Sequence, residues 1–157
     1  MRLSRLLAYE YLKWACHFSG YKLPTRKAFK AVTVVMLDEE ALTDLISRQE
    51  VEFNYDIGNH DVAGFLDHDV DTDTYIVYVW DHVRPDWTED EAYKHMEATL
   101  IHELVHYLQH TNDVPAENIQ RVESEAYDAQ RKYMQMIGYI GLSDELEEFV
   151  KEEGYVS

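Results

Sequence analysis

Residues 102–110 have the sequence His-Glu-Leu-Val-His-Tyr-Leu-Gln-His. The first five of them form an HExxH motif. On a helix, His102 and His106 lie one turn apart on one face, so both imidazoles can reach one metal ion. Glu103 then projects beside that ion, where its carboxylate can take a proton from a bound water. The motif therefore predicts a helix that carries a metal-binding site.

The residues around the motif favour a long helix with a buried face. Apolar residues surround the two histidines at helical spacing: Leu100, Ile101, Leu104, Val105 and Leu108. Thr88, with Glu91 three positions later, is typical of a helix start. Asn112 and Pro115 are typical of a helix end. We therefore predict a helix from about Glu89 to Gln109.

A catalytic zinc site needs a third protein ligand besides two histidines. The pattern HExxHxxGxxH would require glycine at 109 and histidine at 112, but the chain has Gln109 and Asn112. A second long helix, predicted from Ala116 to Ile137, contains the segment Glu123-Ser124-Glu125. If the two helices pack antiparallel, a glutamate of that segment can return to the histidine pair.

Composition and charge limit the classes of function. The chain has 157 residues, 46% of them hydrophobic, and its formal net charge is −17. We expect one domain over residues 1–157 without a linker. The acidic charge argues against partners that are nucleic acids or anionic membranes. The expected partner is a peptide or protein substrate, and the sequence does not indicate an oligomeric state.

The single cysteine, Cys16, cannot form an internal disulfide, so a reducing, cytoplasmic location is expected. It also excludes a cysteine-rich zinc site, so any zinc ligands must be histidines and carboxylates. Neither a signal peptide nor a transmembrane run is recognisable in the sequence.

The predicted elements indicate an α+β fold with a small, mainly antiparallel sheet packed on helices. An opening helix is expected to stop at Gly20, and Asp38 is expected to cap a helix that runs to about Arg48. A last helix is expected from Ser143 to about Glu152. Strands are predicted at Ala31–Leu37, Val51–Tyr55, Val62–Leu66 and Thr74–Trp80. The alternating aspartates of Asp67–Asp73 lack the glycine and glutamate of a calcium-binding EF-hand loop, so they favour a polar hairpin tip.

Residues 99–130 resemble the gluzincin zinc metallopeptidases, particularly very small phage- and bacteria-type predicted members with an HELVHxLQ helix followed by an ExEAY helix. The same segments look like the ImmA/IrrE family of repressor-cleaving peptidases, although the Leu-Met-Pro-like sequence usual in that family is missing. One gluzincin spacing separates HExxH from the third ligand, a glutamate, by eighteen intervening residues. That position is Glu125 in this chain, with Glu123 as the fallback and Glu117 as a more distant candidate.

The resemblance implies a zincin-like fold, with the motif on a central helix, and hydrolysis of peptide bonds. His102, His106 and Glu125 would hold Zn²⁺, and Glu103 would be the general base. An extended substrate would pair with an edge strand, for which Thr74–Trp80 is the candidate. Candidates for an oxyanion donor or an outer partner of a ligand are Tyr127, Tyr133, His110 and Asp128.

Three other interpretations stay open at this point. The histidines could be ordinary residues of a core helix. The chain could bind zinc in a zincin fold without catalysis and serve in interactions. The strong negative charge could make it an acidic decoy that imitates DNA and blocks a nucleic-acid-binding protein.

Overall fold

The computed structural model describes residues 3–38, 40, 41, 44, 47, 64–80, 87–139, 147, 148, 150–152 and 154. These residues form an α+β structure, in which helices pack on a small mixed sheet. In chain order the elements are α1 (Arg5–Ser19), a 3₁₀ helix (Ala28–Ala31), β1 (Val32–Leu37), β2 (Gly64–Asp69), β3 (Thr74–Trp80), α2 (Glu89–Thr111) and α3 (Ile119–Met136).

Helix α1 ends at the glycine that the sequence predicts, and a serine caps its first turn. The Ser4 hydroxyl accepts a hydrogen bond from the backbone N–H of Leu7 at the first turn. Gly20 ends the helix in the left-handed region at φ 85°, and its N–H donates to the carbonyl of Cys16. The buried face includes Ala8, Leu12 and Ala15. This face packs against both α2 and α3.

The sheet is mixed, which corrects the expectation of a mainly antiparallel one. Its order is β1-β3-β2, where β1 is parallel to β3 and β2 is antiparallel to β3. A parallel pair requires a connection of a dozen or more residues, and the chain between β1 and the hairpin is long enough for it. Strand β3 is therefore the central one of the three described strands and not the expected edge.

The hairpin that joins β2 to β3 has a polar tip, as the sequence predicts. Asp69 Oδ1 accepts hydrogen bonds from the backbone N–H groups of Asp71, at 3.0 Å, and Thr72, at 3.4 Å. Asp73 has a positive φ of 51°. Strand β2 extends to Asp69, further than predicted. The start of the strand predicted at 62–66 and the whole strand predicted at 51–55 lie outside the described residues.

Helix α2 carries the HExxH motif and has the predicted start. The Thr88 side chain accepts a hydrogen bond from the N–H of Glu91 at 3.1 Å. Asn112 follows the last helical residue. Helix α3 begins at Ile119, after the cap residue Asn118, and therefore three residues later than predicted. The two helices pack against each other in antiparallel directions.

Two further helices are described only in part. Asp38 Oδ1 accepts a hydrogen bond from the N–H of Ala41, and residues 40, 41, 44 and 47 are helical. Residues 147, 148 and 150–152 are helical within the predicted last helix. No helix formed by the described residues is both long and apolar enough to cross a membrane.

The core lies between the sheet and the three long helices. Its largest fully buried side chains come from all of these layers: Leu12, Phe29, Val34, Val77, Val79, Ile101, Leu104, Val105, Leu108 and Met134. Gly64 lies where β2 comes very close to its neighbours. A Cβ atom at this position would lie 2.7 Å from the carbonyl oxygen of Tyr78 and 3.2 Å from Cγ of Glu103. Glycine thus allows β2 to approach the motif helix.

We predict that Gly64→Ala lowers the free energy of unfolding by about 1–3 kcal/mol, since the new methyl group meets a backbone atom that cannot yield without moving β3. Urea unfolding measures this change. Val70→Ala is the control, because Val70 is exposed at the tip of the same hairpin. A Gly64→Ala variant as stable as the control would show that the close approach does not exist.

Candidate metal centre

Helices α2 and α3 bring two imidazoles and a carboxylate together. His106 Nε2 lies 3.0 Å from Glu123 Oε1, and His102 Nε2 lies 3.4 Å from Glu123 Oε2. The two Nε2 atoms are 3.0 Å apart. Among the described residues, these three are the group of His, Cys, Asp or Glu side chains whose ligand atoms all lie within 4.8 Å of one another.

The arrangement suits a small metal ion. Ligand atoms at about 2.0–2.1 Å from a tetrahedral zinc ion are roughly 3.3 Å from one another. The separation of the two Nε2 atoms, 3.0 Å, and the distance from each Nε2 to its nearer oxygen of Glu123, 3.0 or 3.4 Å, lie close to that value. His102 is buried and the other two side chains are partly buried, so the donors converge where few waters compete. The geometry therefore fits a centre with two nitrogen ligands and one oxygen ligand.

Glu123, the fallback candidate, occupies the place that the eighteen-residue spacing gave to Glu125. Residues two apart on a helix point in nearly opposite directions, so only one of the two glutamates can reach the histidine pair. Glu125 instead accepts hydrogen bonds from the Tyr21 hydroxyl and from Gln109 Nε2, and its other oxygen accepts one from Arg121. The structure thus brings Glu123, and not Glu125, to the two histidines.

Glu117, the most distant candidate, is exposed in the turn before α3 and does not belong to the group. The turn ends at Asn118, whose side chain caps α3.

The side-chain oxygen of a glutamine contacts the Nδ1 atom of each histidine, on the side of the ring away from Glu123. His102 Nδ1 lies 2.9 Å from Gln130 Oε1, and His106 Nδ1 lies 2.8 Å from Gln109 Oε1. An amide oxygen only accepts hydrogen bonds, so it favours the proton on Nδ1 and leaves Nε2 free to bind a metal. Sequence reasoning missed both roles. The available signals were that Gln109 lies three residues after His106, and that Gln130 lies two turns after Glu123.

Glu103 is buried beside the centre. Its exposed fraction is 6%, and burial raises the pKa of its carboxyl, although the charges of His106 and His102 partly oppose this shift. The approach of Gly64 covers its side chain. A carboxylate with a raised pKa accepts a proton more readily than an exposed one, as a general base requires.

Of the four outer candidates, Tyr127 alone contacts a histidine of the centre. Its ring packs edge-on against the ring of His102, with centroids 4.5 Å apart. Asp128 does not orient a ligand. It pairs with Arg131 at 2.9 Å and with Lys132 at 2.8 Å.

The two remaining candidates belong to other parts of the structure. Tyr133 is buried in the core against the ring of Tyr11. His110 Nδ1 lies 2.7 Å from the Tyr75 hydroxyl, and its ring contacts His68. Burial, together with the neighbouring His68, lowers the pKa of His110. The contacts of His110 with Tyr75 and His68 connect the β2–β3 hairpin to α2.

Comparison with known proteins gave no assignment, since no family model, curated protein or solved structure matched the chain.

The charges of the centre predict how the stability of the metal-free protein depends on pH. Burial lowers the pKa of His106, but the hydrogen bond to Glu123 and the charges of Glu103 and Glu123 outweigh it and raise the pKa to about 9. Burial raises the pKa of Glu123, but its hydrogen bonds to His102 and His106 outweigh it and hold that pKa well below its usual range.

A raised histidine pKa stabilises the fold fully below pH 6.5, and the contribution disappears as the pH rises through 9. The free energy of unfolding of metal-free protein should therefore fall between these values, by at most about 1.4 kcal/mol per pH unit. Urea unfolding in the presence of a chelator measures this slope. Glu123→Gln should flatten it. Equal slopes in parent and variant would contradict the ion pair.

Proposed function

We propose that this protein is a small zinc-dependent peptidase of the gluzincin type. In this proposal His102, His106 and Glu123 hold the metal, and Glu103 is the general base. The observation that carries it is the convergence of the three donor groups next to a buried glutamate at the second position of the HExxH motif.

The choice of zinc rests on the donor set. Two imidazoles and one carboxylate are a common set for catalytic zinc, which keeps its fourth position open. Bound Zn²⁺ would polarise a substrate carbonyl and lower the pKa of a coordinated water toward neutrality. Calcium and magnesium prefer sites made of oxygen ligands, so two nitrogen donors argue against them.

Glu103 would perform the proton transfers. Its carboxylate accepts a proton from the attacking water and delivers it to the amine that leaves when the peptide bond breaks. Burial helps in the first step, because it raises the pKa of the carboxyl and makes the anion more basic. Gly64 contributes by allowing β2 to approach the side chain of Glu103 at its Cγ atom.

The same proposal suggests a different substrate edge from the one that the sequence favoured. The gluzincin resemblance implies that a substrate lies extended along an edge strand near the motif helix. Of the described strands, β2 is at the edge of the sheet and approaches Glu103 through Gly64. We therefore assign the docking edge to β2 and not to the central strand β3.

The ligand assignment predicts a clear order of metal affinities. Purified parent protein should bind about one equivalent of Zn²⁺. Glu123→Ala should lose more affinity than the roughly 10–100-fold that removal of an outer partner costs. Competition with a chromophoric chelator measures both. Glu117→Ala is the matched control, because it removes a carboxylate that lies outside the centre. Equal affinities of the two variants would refute Glu123 as a ligand.

The assignment of the base predicts that Glu103→Gln keeps its zinc but loses hydrolysis of fluorescein-labelled casein by a factor of about 10²–10⁴. Zinc content and cleavage rate are measured on the same samples. A variant that cleaves as fast as the parent would disprove the role of Glu103. If zinc-loaded parent leaves casein and a mixed peptide library intact, the protein binds zinc without catalysis.

A further inference from the structure

The amide of Gln109 connects His106 to residues outside the metal group. Its oxygen faces His106 Nδ1 at 2.8 Å. Its nitrogen donates to the carbonyl of Val122 at 2.9 Å and to Glu125 Oε2 at 3.0 Å. Because both neighbours of the nitrogen are acceptors, the amide has one favourable orientation.

Glu125 is itself held by a residue from a distant part of the chain. The hydroxyl of Tyr21, just after α1, donates to the same oxygen, Oε2, that accepts from Gln109. The other oxygen of Glu125, Oε1, accepts a hydrogen bond from Arg121 Nε at 3.1 Å, so both carboxylate oxygens are held. Burial raises the pKa of Tyr21 to about 12, so its hydroxyl keeps the proton that it donates.

The orientation of this amide matters because it determines which nitrogen of His106 is free. With the oxygen toward Nδ1, the proton lies on Nδ1 and Nε2 faces Glu123. If the amide rotated by 180°, its NH₂ group would face Nδ1 and favour the proton on Nε2, the atom that has to bind the metal.

We propose that Tyr21, Glu125 and Gln109 form a positioning relay that fixes the ring and tautomer of His106 and thereby sets the metal affinity of the centre. The relay rests on the proposed metal site, but it assigns new roles. Glu125 acts through Gln109 and does not touch the metal. Tyr21 couples the end of α1 to a ligand on α2.

Three variants and one control test the relay. Glu125→Leu removes the acceptor of both hydrogen bonds, Tyr21→Phe removes one hydroxyl, and Glu125→Gln keeps an oxygen acceptor without the charge. Arg121→Gln is the control, because Arg121 bonds to the other oxygen of Glu125 from an exposed position and leaves the bond to Gln109 intact.

The first measurement is the exchange rate of the His106 Nδ1–H proton with water, followed by NMR with and without Zn²⁺. This proton should exchange slowly in the parent and in Arg121→Gln. It should exchange faster in Glu125→Leu and, to a smaller extent, in Tyr21→Phe. Glu125→Gln should restore most of the protection. This measurement does not require that the protein bind a metal or cleave a peptide.

The second measurement is zinc affinity by competition with a chelator. Glu125→Leu should lose roughly 10-fold or more, Tyr21→Phe less, and the control nothing. Unchanged exchange and affinity in both Glu125→Leu and Tyr21→Phe would overturn the relay. An equal loss in Glu125→Leu and the control would also overturn it, since the control keeps the bond between Gln109 and Glu125. A parent that binds no zinc would overturn the proposed function, while the exchange rates would still decide on the relay.

Discussion

The pairing of Glu123 with His102 and His106 is the constraint around which the interface of α2 and α3 is built. Removing a carboxylate and two imidazoles from water is costly unless each polar atom finds a partner. Here Glu123 faces both Nε2 atoms, while Gln130 and Gln109 satisfy the two Nδ1 atoms. Every ring nitrogen of the pair thus has a partner, which fixes the rotation of α3 against α2.

The rest of the fold supports this interface from two sides. Helix α1 packs against both α2 and α3 and, through the hydroxyl of Tyr21, connects to Glu125. On the other side β2 approaches Glu103, and a Cβ atom at Gly64 would lie 3.2 Å from Cγ of Glu103 and 2.7 Å from the Tyr78 carbonyl oxygen of β3. The histidine pair and Glu103 share α2, but different elements contact them: α3 meets the histidines and β2 approaches Glu103. A change in one can leave the other intact, as the contrast between Glu123 and Glu103 variants requires.

Local features were predictable because they depend on short-range physics. The cap at Thr88, the stop at Gly20 and the hairpin tip follow from hydrogen bonds between near neighbours in sequence. The third ligand was not predictable in this way. Which glutamate faces the histidines depends on where α3 begins and on how the helix is rotated about its axis. A spacing taken from a resemblance gives neither the start nor the rotation. If the register of α3 against α2 shifted by two residues, Glu125 would take the place of Glu123.

The parallel pairing of β1 with β3 was missed for a similar reason, because nothing within a strand specifies which side of the hairpin an earlier strand joins. Gln109 and Gln130 were missed because a glutamine is not a usual marker of a metal centre, and its role appears only once the histidine that it faces is located.

The most direct test of the centre is a crystal structure of the zinc-soaked protein with anomalous data collected at the zinc absorption edge. We predict one strong anomalous peak at about 2.0–2.2 Å from His102 Nε2, His106 Nε2 and a carboxylate oxygen of Glu123, with Glu125 still bonded to Gln109. A peak bound by Glu125 would contradict the ligand assignment. The absence of any peak between α2 and α3 would contradict the metal centre itself.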